Sequence, residues 1–230
     1  IKALKEVGIA TGRIFDRSLL DKAEQELKRQ YLSRGKYAAQ ITTTVTPLER
    51  NRVGINFNIV EGDAAKIRQI NIVGAKAFKE KELVSLFDLT TPGWLTWYTK
   101  NDQYSRQKLA ADQEKLKSFY LDRGYLEFNV ESTQVSISPD KRDVFITLNI
   151  KEGERFRVAS IKLAGDTAIP EADLRKLVSV RPGEVFSREK LNQSTKAITD
   201  RLGAEGYAFA NVNAAPEINS EKRLVDFTIF

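Results

Sequence analysis

Between Phe15 and Gly35 the apolar positions Leu20, Leu27 and Tyr31 stand five, twelve and sixteen residues past the phenylalanine. Those offsets lie on one face of an α-helix and predict an amphipathic helix of about four to five turns. The same set recurs twice. Tyr104 is followed at these offsets by Leu109, Leu116 and Tyr120, and Phe186 by Leu191, Ile198 and Leu202. The residue after each leading aromatic is a good N-cap, Asp16, Ser105 or Ser187. Twenty residues after the aromatic stands Gly35, Gly124 or Gly206. Glycine enters the left-handed conformation without strain and so stops a helix.

After each glycine an alternation of period two predicts a pair of strands. In the middle copy these run Leu126–Ile137 and Val144–Ile150, joined by SPDKRD with its Pro and Asp turn residues. Other landmarks repeat at a spacing of 91: INIVG at Ile70–Gly74 returns as IKLAG at Ile161–Gly165, and VEGD at Val60–Asp63 as KEGE at Lys151–Glu154. A shorter helical pattern precedes the long one, with Leu83, Leu86 and Phe87 in one copy and Leu174, Leu177 and Val178 in the next. The unit is strand–helix–helix–strand–strand. It predicts an α+β fold of tandem βααββ modules, each a three-stranded mixed sheet with two helices on one face. The expected modules are 1–63, 64–154 and 155–230. The first lacks the opening strand, and Ile1–Val7 reads as the tail of its short helix. Links as short as EGDAAK and EGERFR predict three separately packed modules in a string, the first being the least stable.

The copies differ in two places. From Gly12 to Phe15 and from Gly183 to Phe186 is three residues, but from Gly93 to Tyr104 is eleven. The extra eight fall in TTPGWLTWYTKNDQY, which holds both tryptophans. Trp94, Leu95, Trp97 and Tyr98 could form a secondary patch for a partner or a membrane surface. The expectation is instead that they fold back over their own helices, because aromatics dominate core energetics. The second difference is one of phase. Tyr37, Ala39, Ile41, Thr43 and Val45 keep one parity, whereas Leu126, Phe128 and Val130 are even and Val135 and Ile137 odd. A regular strand cannot put both sets on one face, so either a β-bulge lies between Val130 and Val135 or the strand is broken there.

Composition removes chemistry. The chain has 41% apolar residues and no Cys or His, which excludes disulfides, thiol nucleophiles, histidine bases and the common zinc sites. It also has no Met, so it reads as a piece of a longer protein. Neither a phosphate loop nor a dinucleotide fingerprint is present. Acidic residues sit among lysines, as solvated helix faces do. The reading is a non-enzyme with no cofactor and no metal. The net charge of +6 is spread along the chain. A nucleic-acid-binding repeat protein, the main alternative class, would concentrate charge and aromatics on an open sheet face. The alternating polar positions here are mostly Thr, Asn, Ser and Gln.

TPLERNRV at Thr46–Val53, INIVGAKAF at Ile70–Phe78 and YLDRGYLEFNVESTQVSISPDK at Tyr120–Lys141 resemble the POTRA (polypeptide-transport-associated) repeats of outer-membrane assembly proteins. The match is close in the middle copy and weaker over Val158–Phe230. It places the copies as the second (truncated), third and fourth of five such repeats; another barrel-linked translocase of the family stays open. The resemblance implies a periplasmic location in a Gram-negative bacterium, with any membrane contact made through a barrel domain outside this chain. It implies unfolded outer-membrane proteins as clients. It also implies an accessory lipoprotein resembling BamB docking on the middle copy, and no nucleic acid. The residues themselves suggest where. The second strand of the middle copy is sprinkled with Asn129, Glu131, Ser132, Thr133, Gln134 and Ser136, and the third is richer in apolar residues. That asymmetry predicts the third strand at the centre and the second at the edge, which either takes up an added segment by strand pairing, with Ile137 as an apolar anchor, or is merely blunted by its bulge against aggregation.

Overall fold

The computed structural model describes residues 8–94, 96–165 and 169–230. Ile1–Val7 and Leu95, both singled out in the sequence, lie outside the described residues. The three long helices form where the periodicity puts them, as α1 (Arg17–Ser33), α4 (Arg106–Leu121) and α6 (Arg188–Ala204). Each is capped by the expected side chain. Asp16 Oδ1 accepts from Ser18 N at 2.8 Å, Ser105 Oγ from Lys108 N at 3.5 Å, and Ser187 Oγ from Lys190 N at 3.3 Å. The apolar offsets face inward: Leu109, Leu116 and Tyr120, like Leu191, Ile198 and Leu202, are buried. In α1 Leu20 is buried, and Leu27 and Tyr31 are half-buried.

The remaining elements are β1 (Gln40–Leu48), β2 (Arg52–Val60), β3 (Lys66–Val73), α2 (Glu80–Val84), α3 (Thr96–Thr99), β4 (Asn129–Ile137), β5 (Asp143–Lys151), β6 (Arg157–Leu163), α5 (Glu171–Arg175), β7 (Ala214–Asn219) and β8 (Leu224–Ile229). Among the described residues they make a β1–β2 hairpin and two three-stranded sheets, ordered β3–β5–β4 and β6–β8–β7. In the last sheet β6 runs parallel to β8 and β7 antiparallel to it, so the sheet is mixed. The register slips between Val158 and Ser160 in β6, which lets Val158 and Ile161, of opposite parity, both face the core. In both full sheets the third strand of the unit is central and buries alternate residues: Val144, Ile146, Leu148 and Ile150 in β5, and Val225, Phe227 and Ile229 in β8. The β8 set packs with Leu174 of α5 and Leu191, Ile198 and Leu202 of α6, which puts both helices on one face of that sheet. In the hairpin the equivalent residues Ile55, Phe57 and Ile59 are only half-buried.

The described chain divides into two compact units. One comprises the chain up to Asn71 with Phe87–Asp112 and Thr133–Thr147; the other comprises Ile72–Leu86, Gln113–Ser132 and Leu148–Phe230.

Candidate protein-interaction site

β4 is the outermost strand of the middle sheet, as the polar sequence predicts. It begins at Asn129 rather than at Leu126. Tyr125–Phe128 instead form a turn, with Phe128 N donating to Tyr125 O at 3.2 Å and the Phe128 ring buried. Along the strand Asn129, Glu131, Ser132, Thr133, Gln134 and Ser136 are exposed, and Ile137 is 39% exposed. Val130 and Val135 are the half-buried positions. They are of opposite parity, so the two half-buried side chains do not share a face of a regular strand. Asn149 Nδ2 of β5 donates to Ser132 Oγ at 2.7 Å. The following turn is fixed by Asp140, whose carboxylate accepts from Ser138 Oγ at 2.5 Å and Arg142 N at 3.2 Å. These bonds hold its pKa below the usual value.

The chemistry of β4 distinguishes it from its counterparts. β1 carries Pro47 and the six-residue β7 carries Pro216, each blocking part of an edge. β4 has nine residues, no proline, and Glu131 as its single charge. The opposite edge of the same sheet is partly occupied where β3 begins. Lys66 there bridges to Gln103, and Ile67 N donates to Asp102 O at 2.7 Å. Asp102 is buried, with its Oδ2 3.2 Å from Lys66 Nζ, an ion pair without hydrogen-bond geometry.

Several supporting residues were not legible as such from spacing alone. Asp112 of α4 is fully buried and accepts from Asp88 N at 2.8 Å and Leu89 N at 2.9 Å. At the same helix position of the last copy Ser194 accepts from Ser179 N at 2.9 Å; the first copy has Ala23 there. The glutamate of the recurring Glu-Gly pair is a second support. Glu152 accepts from Tyr120 Oη at 2.7 Å and from Ala77 N at 3.1 Å, and Glu61 accepts from Tyr31 Oη at 3.2 Å. Burial, then the Glu152 carboxylate, pushes the Tyr120 phenol well above its ordinary pKa. Tyr120 also stacks on Phe128 at 4.2 Å and meets Phe78 and Tyr125 edge-on. The signals were present as the fixed Glu-Gly motif and the repeated tyrosine, but their spacing of about 30 residues gives no sign that they touch.

The three helix-ending glycines are not equivalent. Gly35 and Gly124 are buried and Gly206 is exposed. Gly124 O accepts from Phe156 N at 2.8 Å, and Phe156 O from Phe186 N at 3.1 Å. Gly35 O accepts from Ala65 N at 2.9 Å, and Ala65 O from Tyr104 N at 3.2 Å. Two residues on, Leu126 packs into the core of the last copy and Tyr37 stacks on Tyr104 at 6.3 Å. Arg188 Nη2 donates to Ser118 Oγ at 2.6 Å, and Glu189 N to Asp122 Oδ1 at 2.8 Å. Adjoining copies therefore share backbone and side-chain contacts, where the sequence predicts separately packed modules. The short links bring each glycine turn within bonding distance of the next copy's first strand.

The secondary patch also departs from expectation. Trp94, Trp97 and Tyr98 are 84%, 79% and 77% exposed rather than folded back. The reason is local. Thr96 Oγ1 donates to Gly93 O at 2.7 Å and accepts from Gly93 N at 3.1 Å, and Lys100 N donates to Thr96 O at 2.9 Å. This closes a single helical turn, too short to return its rings to a helix face.

The family model described as "Surface antigen variable number repeat", POTRA, matches residues 2–62, 65–153 and 156–230. The chain is 37% identical over 229 residues to the outer membrane protein assembly factor BamA of Neisseria meningitidis serogroup B, covering 99% of this chain and 29% of that protein. It is 30% identical over 223 residues to BamA of Buchnera aphidicola, covering 96% and 36% respectively. It thus spans roughly a third of the length of these relatives. Among solved structures it resembles Haemophilus influenzae BamA POTRA3-5, with a TM-score of 0.60 at 22% identity, covering 99% of this chain and 89% of that one. It also resembles BamA from Haemophilus ducreyi lacking POTRA domains 1-3, with a TM-score of 0.54 at 19% identity, covering 71% and 28%. At these identities the structures speak to the fold alone.

Proposed function

The chain belongs to the POTRA family, and on that premise we propose that it is a periplasmic part of an outer-membrane protein, a binding module of the machinery that assembles outer-membrane proteins. Its modules are 1–63, 64–154 and 155–230. The middle one receives extended segments of unfolded barrel proteins, or docks an accessory lipoprotein resembling BamB, by pairing at β4. The observation that carries this reading is the edge itself, nine residues long and without the proline that interrupts β1 and β7. Backbone pairing recognises an extended chain whatever its sequence, which suits a varied set of β-rich clients. Glu131–Gln134 face the partner, and Ile137 anchors an apolar side chain at the end of the strand. The role needs no catalytic group or cofactor.

Proline variants test it. Ser138 N donates to Asp143 O at 2.9 Å, so by alternation the N–H groups of Thr133 and Val135 face the free edge. Thr133→Pro and Val135→Pro each remove one of them and bend the edge, while Val144, Ile146 and Leu148 of the central strand keep their packing. Affinity for an unfolded outer-membrane protein and for the lipoprotein is expected to fall about tenfold, the equivalent of about 1.4 kcal/mol. Thermal stability should be retained. Alanine at Ser132 or Gln134 should change little, because the backbone makes the contact. Unchanged affinity in folded proline variants would sink the proposal.

A further inference from the structure

We propose that Trp94, Trp97 and Tyr98 form a membrane-interface anchor, seating their rings in the headgroup layer of an anionic phospholipid surface. The proposal is independent of pairing at β4. The turn sits on the insertion that bridges to β3, the opposite edge of the sheet from β4.

The rings are presented rather than left loose. Gly93 and Thr96 close the turn, Thr90 N donates to Asn101 O at 3.0 Å across its base, and Lys108 Nζ donates to Asn101 Oδ1 at 3.0 Å. Trp97 and Tyr98 meet edge-on with centroids 6.0 Å apart. Their chemistry favours lipid over a protein groove. All three side chains are amphipathic aromatics with one polar atom, the class enriched where hydrocarbon meets headgroup. Protein hot spots sit in packed pockets, whereas these rings stand on a convex single turn. Neither described cleft, one lined by Ser118, Asp122 and Arg188 and the other by Ile169, Arg201 and Tyr207, includes them. Charge points the same way. Between Thr90 and Arg106 the exposed charges are Lys100 and Arg106, both positive, while Asp102 is buried against Lys66. Cations beside interfacial aromatics suit an anionic surface.

Trp94 and Trp97 are the only tryptophans of the chain, so intrinsic fluorescence reports this patch and nothing else. With the full 230-residue chain, vesicles of phosphatidylethanolamine and phosphatidylglycerol are expected to shift the emission to the blue and to co-sediment the protein, less so in high salt. Pure phosphatidylcholine vesicles should bind more weakly. The triple variant Trp94→Ala, Trp97→Ala, Tyr98→Ala alters exposed side chains only. It should lose co-sedimentation by at least about tenfold, from the ring area withdrawn from lipid. Val135→Pro should bind vesicles as the parent does. The proposal is overturned by an unshifted emission across the lipid titration, or by equal sedimentation of the triple variant. It is equally overturned if a folded Val135→Pro loses vesicle binding. A shift produced by an unfolded barrel segment without lipid, and not by vesicles, would replace the lipid surface with a protein partner.

Discussion

Replacing Gly124 by alanine separates the two roles of the helix-ending glycine. Gly124 and Gly206 occupy the same place in the repeat and share a φ of 95°. The strain of placing a Cβ in that region is therefore common to both, about 1–2 kcal/mol. Their surroundings differ. A Cβ at Gly124 would lie 2.7 Å from Val185 Cγ1 and 2.9 Å from Phe156 O, and at Gly206 it would meet nothing within 4 Å. Relieving the clash moves the start of β6 away. That stretches the Phe156 N–Gly124 O bond of 2.8 Å and the Phe186 N–Phe156 O bond of 3.1 Å. Weakening two backbone bonds at about 0.5–1.5 kcal/mol each adds about 1–3 kcal/mol to the shared strain. Gly124→Ala should thus destabilise its surroundings by about 2 kcal/mol more than Gly206→Ala destabilises its own. Native-state hydrogen exchange at the Phe156 and Phe186 amides is the assay. An extra loss of about 2 kcal/mol speeds their exchange about thirtyfold in Gly124→Ala, and neither amide should respond to Gly206→Ala. Equal acceleration in the two variants would refute the idea that the glycine turn joins adjoining copies.

Two further outcomes follow from the buried polar groups. Asp112→Ala strands two backbone donors, Asp88 N and Leu89 N, and should cost about 2–4 kcal/mol in urea denaturation; Ser194→Ala strands one, Ser179 N, and should cost about 1–2 kcal/mol. Tyr37, raised to about 12 by burial, and Tyr120, raised further, stay neutral in the folded chain while an unfolded tyrosine ionises near pH 10. Their folded pKa lies above the unfolded one, so the stability they contribute is complete below about pH 10 and is lost as pH climbs past it. Tyr120→Phe should blunt that alkaline loss, and a stability curve flat between pH 9 and pH 11 would contradict it.

The helices, their caps and the strand order were legible because each has a local cause. Leu109, Leu116 and Tyr120 announce a buried face by periodicity, Ser105 announces its start, and the contrast between the polar β4 and apolar β5 announces edge and centre. What stayed hidden depends on two distant segments meeting. Glu152 and Tyr120 each recur in the sequence, but only the folded sheet puts the carboxylate 2.7 Å from the phenol. Gly124 reads as a helix stop, and nothing local says that its carbonyl receives Phe156 N. The tryptophan turn failed for the opposite reason. The preference of aromatics for cover is overridden in this segment by its own hydrogen bonds, centred on Thr96, which hold the rings outward.

The repeat supplies a frame, and the features proposed for binding gather where one copy departs from it. All three copies share the capped helix and the aromatic that leads it. The middle copy alone has the fully buried Asp112 where its neighbours have Ala23 and Ser194, the inserted turn with Trp94 and Trp97, and a second strand free of proline. These differences support one another. An edge left open to incoming strands can be paired by any extended chain, and β4 offers it from a firmly packed sheet, beside a central strand with Val144, Ile146 and Leu148 at 0% exposure. Glu152, at the end of that strand, ties it through Tyr120 to α4 and through Ala77 to the segment before α2. Pro47 and Pro216 then make sense as protection. The neighbouring copies keep the fold but carry a proline in the corresponding second strand, so under the proposed pairing β4 is the second strand left open to an extended partner.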